Sequence, residues 1–274
     1  MADKPRLGTL WIGERLSALE ILSAHSFVET GNELTIYTYG RLADVPQGVN
    51  VADAEPVFSG QRILRYPDTG SPSVHANLFR HEMIRQTGEI WVDLDIFALR
   101  PFAFESAYVF AWEDARCDII NNALLGLPAG SKSLAKLLEM RADTVGIPPK
   151  STFLHRPWLY LSTLGRGVGL EHWGMGATGP LALTHYLRDT GEHVHALPAE
   201  MIYPLHWSDA DRFLTPDSYG LADAAPGAYG VHFYASELRR IIAQRYNGKV
   251  PDGSFLATAT AALPAPKLRD VSVD

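Results

Sequence analysis

Apolar, β-prone segments alternate with helical ones through the first half of the chain, the pattern of a sheet with helices packed on it. Leu7–Ile12 reads as a strand and Gly13 permits a turn. Leu16 to Val28 is helical, with Leu16, Leu19, Leu22 and Phe27 near 3.6-residue spacing. Leu34–Tyr39 is a second strand, so the chain opens on a strand–helix–strand unit, as nucleotide-binding sheets often do. A loop-rich stretch through Pro46, Pro56, Pro67 and Pro72 leads to a helix from about Val74 to Thr87. Its apolar residues lie all round the wheel, which predicts burial. Gly88 ends it, and an apolar strand over Ile90–Phe97 begins at once. A further strand is expected over Tyr108–Trp112 and a helix from Ser131 to about Val145. The second half carries glycine-rich turns at 165–179, a helix at Leu181–Arg188 and a Tyr/Trp/Pro-rich passage at 201–230. A strand at Gly230–Tyr234 and a helix at Glu237–Tyr246 follow. The tail after Pro251, rich in Ala, Thr and Pro, is expected to be loose.

Composition narrows the class. The 274 residues can bury a sizeable core, and 24 basic against 31 acidic residues give a net charge of −7. That balance argues against nucleic acid as a partner. The single cysteine, Cys117, cannot form an internal disulfide, and clustered cysteines for zinc or haem are missing. No apolar run approaches the ~18 residues of a membrane span, and Leu7–Gly13 is too short for a signal peptide. A soluble cytoplasmic enzyme or binding protein is expected.

The most informative motif is Asp93-Leu94-Asp95, read as the end of an apolar strand. Residues i and i+2 of a strand share a face, so both carboxylates point the same way. Like charges so placed repel, and a divalent cation between them relieves the repulsion. Carboxylate oxygens favour Mg²⁺, Mn²⁺ or Ca²⁺. The alternative is a solvated strand end, but two acids inside IWVDLDIFALRPF are costly without a role. An Asp-x-Asp after an apolar strand also opens haloacid-dehalogenase-type phosphatases. Those want Thr or Val where Phe97 stands, and no later Asp-Asp pair supports them here.

Other motifs carry less. Gly174-Met175-Gly176-Ala177-Thr178-Gly179 spells GxGxxG, yet no strand precedes it, so a Rossmann fingerprint is not expected. Pro180 suits the first turn of the next helix, whose start could cradle an anion. Ser133-x-x-Lys136 reads as ordinary helix surface. His193 and His195 fall in an expected strand with a structural role, and His232 taken alone would be structural.

In their order, five blocks resemble the DXD-containing retaining glycosyltransferases. These include the α-1,4-galactosyl, α-1,4-N-acetylglucosaminyl and initiating α-1,6-mannosyl transferases, which share a GT-A fold with glucosylating toxins. The blocks are Leu10-Trp11-Ile12-Gly13 with Leu16-Ser17, Ser26-Phe27 and Tyr37-Thr38-Tyr39; then Asn77-Leu78-Phe79-Arg80 ahead of Ile90 to Asp95; then Asn121 to Gly126; then Gly174 to Leu183; and Val231-His232-Phe233-Tyr234. Two positions depart from the pattern: Asn77 stands where Ser-Asp is usual, and Gly88-Glu89 where Gly-Gly is usual.

The resemblance implies an α/β fold with a GT-A type, Rossmann-like nucleotide-binding sheet flanked by helices and an irregular C-terminal acceptor region. It implies one domain over 1–255, with a donor-binding half to about 130, an acceptor-side half from about 131, and a loose tail at 256–274. The expected activity is metal-dependent, retaining transfer of a hexosyl or N-acetylhexosaminyl group. The sugar moves from a UDP- or GDP-sugar to a saccharide or other hydroxyl acceptor, with Mn²⁺ or Mg²⁺ bound. By position, Asp95 ligates the metal, Asp93 binds ribose or metal-bound water, and His232 approaches from the far side. Trp11, Ile12, Gly13 and Tyr39 line the base and ribose pocket, while Asn77 and Arg80, three apart on one helix, both reach the donor. Asn121 and Asn122 approach the transferred sugar, with Asn122 grouped among the catalytic residues. Gly179 borders the acceptor or phosphate site. No catalytic base is assigned, although Glu113 and Asp114 are the nearest downstream acids. The competing class is a non-catalytic sugar- or nucleotide-binding relative.

Overall fold

The computed structural model describes residues 6–150 and 155–261. Its chain runs β1 (Arg6–Trp11), α1 (Ala18–Glu29), β2 (Glu33–Thr38), β3 (Asn50–Asp53), α2 (Ser73–Thr87), β4 (Ile90–Val92), β5 (Ile96–Ala98), β6 (Val109–Trp112) and β7 (Ile120–Gly126). It continues through α3 (Lys132–Leu137), β8 (Val145–Gly146), α4 (His155–Ser162), β9 (Val168–Gly169), α5 (Pro180–Thr190), β10 (Gly230–His232), α6 (Ala235–Tyr246) and α7 (Phe255–Ala261). The central sheet has the order β3-β2-β1-β4-β7-β6. The first four strands run parallel and β7 runs antiparallel to both its neighbours. This is a mixed α/β fold with a mostly parallel sheet flanked by helices.

Strand alternation feeds two layers. Leu10, Tyr37, Trp91, Phe110 and Leu125 face a core shared with α2, α3 and α5, whereas Leu7, Ile36, Val92, Ala111 and Leu124 face one shared with α1. A third cluster gathers Phe97, Phe213 and Val231 with Leu238, Ile242 and Phe255 of the last two helices. Gly88 closes α2 at φ 67°, the left-handed conformation that glycine adopts without penalty, and so turns the chain directly into β4.

Several local expectations differ from the fold. Ile90–Phe97 is not one strand: β4 stops at Val92, Asp93–Asp95 form a turn, and β5 leaves the sheet to pair with β10. The expected helix from Ser131 to Val145 is confined to Lys132–Leu137, because Ser131 caps it, a turn around Arg141 and Thr144 follows, and Val145 pairs in β8. His193 and His195 lie in a 3-10 turn rather than a strand, with His195 stacked on Tyr108 at 4.3 Å. The stretch after Pro251 is not all loose. Phe255, Leu256 and Ala259 of α7 are buried, so the packed core extends beyond residue 255.

Candidate active site at the end of the parallel sheet

The strand order reverses between β1 and β4, where the crossovers diverge and open a crevice beyond the carboxyl ends of the strands. A cleft of about 430 Å³ occupies that place, lined by Trp11 at the end of β1 and Ile12 after it, Arg80 from α2, Asp93 and Asp95 after β4, and Arg239 from α6. A second cleft of about 680 Å³ adjoins it at Ile12 and is lined by Gly13, Arg15, Tyr39, Arg41 and Ile63. Trp11 and Ile12 line the first cleft, and Ile12, Gly13 and Tyr39 the second.

The turn at Asp93–Asp95 is held from both sides. The Asp93 amide still donates to Ala123 O of β7 at 2.8 Å, while Phe233 N donates to Asp95 O at 2.9 Å. The β5–β10 register pairs Ile96 with His232, which sets the imidazole beside the second carboxylate. Asp93, Asp95 and His232 each present a ligand atom, and these lie within 4.8 Å of one another. Asp93 Oδ1 accepts from Arg80 Nη2 at 2.9 Å and from Trp91 Nε1 at 2.6 Å. Asp95 Oδ2 accepts from the Ala235 amide at 3.1 Å, at the start of α6. His232 Nε2 stands 3.1 Å from Asp95 Oδ1 but off the line of a ring N–H, so that oxygen is buried without a hydrogen-bond partner. The ring is wedged edge-on between Tyr203 and Tyr234, with centroids 5.3 and 4.3 Å away.

Charge follows geometry here. Burial pushes the Asp93 carboxyl above the usual carboxylate range despite Arg80, and the Asp95 charge adds to the effect. Burial acts on Asp95 too, but His232 and the Ala235 amide outweigh it and hold this carboxyl below its ordinary value. Burial disfavours the imidazolium of His232, yet Asp95 prevails and raises its pKa. Two carboxylates, one imidazole and an orphaned buried oxygen suit a hard divalent cation: the set fits, and the three residues form a possible metal site.

The remaining expected residues form a layer behind the cleft. Asn77 is buried and its amide is engaged on every side. Its Oδ1 accepts from Arg80 Nη1 at 2.8 Å and Asn122 Nδ2 at 2.9 Å, and its Nδ2 donates to Thr178 Oγ1 at 3.0 Å. Gly179 backs onto the same pair, since a Cβ there would lie 2.9 Å from both Asn77 Nδ2 and Asn122 Nδ2. Arg80, stacked 4.4 Å over Trp91, carries this network forward to Asp93. Asn121 points elsewhere: its Oδ1 accepts from Ala123 N at 2.9 Å and from Tyr203 OH at 3.4 Å, and its Nδ2 faces Glu113.

Arg239 of the cleft was not anticipated from the sequence. Arg239 donates to Glu20 at 2.6 Å and to Ser17 Oγ at 3.2 Å, joining α6 to α1 across the cleft wall. A signal existed, because Ala235, Ser236 and Arg239 share one face of the helix that follows His232.

No family model and no curated protein matches the chain. Among solved structures, one described as PaToxG Glycosyltransferase is similar to it at 15% identity over 68% of each chain, with a TM-score of 0.44.

Proposed function

We propose that this protein is a divalent-cation-dependent glycosyltransferase. It would move a sugar from a nucleotide-diphosphate sugar, a UDP- or GDP-sugar, to a saccharide or other hydroxyl acceptor with retention of configuration. The observation that carries this reading is the convergence of Asp93, Asp95 and His232 at the switch point of the sheet, beside the cleft walled by the end of β1. The ordered resemblance of five sequence blocks, from Leu10 to Tyr234, supports it as well.

Asp95 and His232, with Asp93, would hold Mn²⁺ or Mg²⁺. When bound there, such an ion supplies charge neutralisation to a nucleoside diphosphate leaving group. The side chains around it prepare that place. Arg80 fixes Asp93, Trp91 bonds the same oxygen, and the α6 amide orients Asp95. Trp11, Ile12, Gly13 and Tyr39 would receive base and ribose along the two adjoining clefts. Asn77, Asn122 and Gly179 would act through Arg80, whose fork is held in the plane that Asp93 requires. Asn121, on the side of Glu113 and Tyr203, would approach the transferred sugar.

Release of nucleoside diphosphate from UDP- and GDP-sugars with Mn²⁺ tests the reading. Asp95→Asn should keep the fold and lose about two to four orders of magnitude in turnover, as expected when several kcal/mol of charge neutralisation are removed. Asp93→Asn should be milder for turnover, because its amide oxygen can still accept from Arg80. A folded, chelator-insensitive and fully active Asp95→Asn protein would overturn the assignment.

A further inference from the structure

We infer that α4 and the turn after it are a docking face for an anionic lipid surface. The ladder of β8 and β9 closes an excursion from the core, and Trp173 ties its base by donating to Gly146 O at 3.0 Å and Val168 O at 3.1 Å. The helix on this excursion is turned inside out. It buries only Leu159, while Trp158 is 61% exposed, Leu161 74% and Leu164, in the following turn, 87%. Tyr160 is also exposed. Trp158 and Leu161, three apart on the helix, share one outward face, and Tyr160 and Leu164 add exposed apolar surface to the same short segment. A soluble surface rarely concentrates large apolar groups in this way unless they meet something apolar.

Charge selects the occupant. From Thr144 to Leu170 the sequence contains no Asp or Glu, yet it carries Lys150, Arg156 and Arg166 within a chain of net charge −7. Glu171, the first acid beyond, is paired with Arg62 at 2.8 Å. Aromatic and leucine side chains flanked by arginine, without acids, match the boundary between lipid headgroups and acyl chains, where Trp and Tyr settle and basic residues meet anionic lipid. Gly174 lies against His155 of this helix, and the loop it begins leads to Gly179 behind the cleft. The proposal does not rest on glycosyl transfer, and it would stand if the hydrolysis assay failed.

Co-sedimentation of the full chain with phosphatidylcholine vesicles, with and without phosphatidylserine, tests it. Binding is expected to the phosphatidylserine vesicles, weakening with added salt, accompanied by a blue shift of tryptophan emission. The pair Trp158→Ser and Leu161→Ser together should reduce partitioning at least about tenfold, which is the loss expected for two exposed apolar anchors. Their exposure means that the melt should not move. Arg166→Gln should weaken binding to anionic vesicles alone. Absence of vesicle binding by the wild type, or equal binding by the double variant, would overturn the inference. So would a concentration-dependent dimer abolished by Trp158→Ser, which would assign the face to a second copy of the chain.

Discussion

Asn77 lies one layer behind the cleft and bonds Arg80, which lines it. The sequence reading puts its amide against the donor, whereas the fold spends it on Arg80, Asn122 and Thr178. Substitution by Asp and by Ala should therefore separate sharply. Asn77→Asp keeps an acceptor oxygen for Arg80 and Asn122, and the Thr178 hydroxyl can rotate to donate. Asn77→Ala leaves a buried guanidinium and a buried amide short of partners, at a cost of about 2–4 kcal/mol. We expect the Asp variant to melt near wild type and the Ala variant to melt lower, with turnover falling in the folded Ala protein because Arg80 is no longer held. Differential scanning calorimetry and nucleotide-sugar hydrolysis on matched preparations measure both effects. Equal melts for the two variants would show that the network contributes little.

Helices at a distance from the cleft are coupled by single side chains. Glu192, in the turn after α5, accepts from Ser131 Oγ at 2.8 Å, Lys132 N at 2.9 Å and Ser133 N at 3.1 Å, and so binds the start of α3. Burial alone would raise its pKa, but these donors outweigh burial and hold it at about 2, against an ordinary value of 4.5. A depressed carboxyl contributes stability that is complete above the unfolded-state value and is lost as pH falls toward the folded one. Glu192→Gln should therefore cost about 1–2 kcal/mol near neutrality. Its disadvantage relative to wild type should shrink as pH falls from about 4.5 to about 2. Melting curves across that range check the convergence; a gap independent of pH would show that charge is not the source.

At the scale of the molecule, the layer joining α2 to the sheet sets the response to acid. His75 is fully buried, accepts or donates at 2.7 Å with Tyr39 OH, and is held by burial at about 4; His81, also buried, is held at about 3. Both lie below the ordinary imidazole value of 6.5, so the unfolded chain takes up protons that the folded chain refuses. Stability should accordingly fall as pH drops below about 6.5, with a slope of up to about 1.4 kcal/mol per pH unit for each histidine. His75→Gln or His81→Gln, whatever its effect at neutral pH, should flatten the fall between pH 6.5 and 5, read by denaturant titration. An unchanged slope in both variants would place the acid sensitivity elsewhere.

Local pattern was enough for β1, β2 and β6, which alternate between two buried layers, and for α2, which begins near its expected start and ends at Gly88, whereas β3 lies in a stretch that reads as loop. The Asp93/Asp95 pair was legible for a related reason: two acids inside an apolar run stand out against their neighbours. Extent was harder to read. Apolar spacing overran α3, because Val145 continued the stripe by coincidence while its backbone pairs with Gly169. What only the tertiary structure decided is association. The break at Asp93 exists because Ile96–Ala98 finds its partner in β10, and that pairing alone brings His232 to Asp95. The bonds that tie Asn77 to Arg80, Asn122 and Thr178 were not legible, since no spacing rule tells a side chain which distant segments will close around it. Periodicity is local and reports burial, whereas the partners of a buried polar group come from parts of the chain whose meeting depends on the packing of the whole fold.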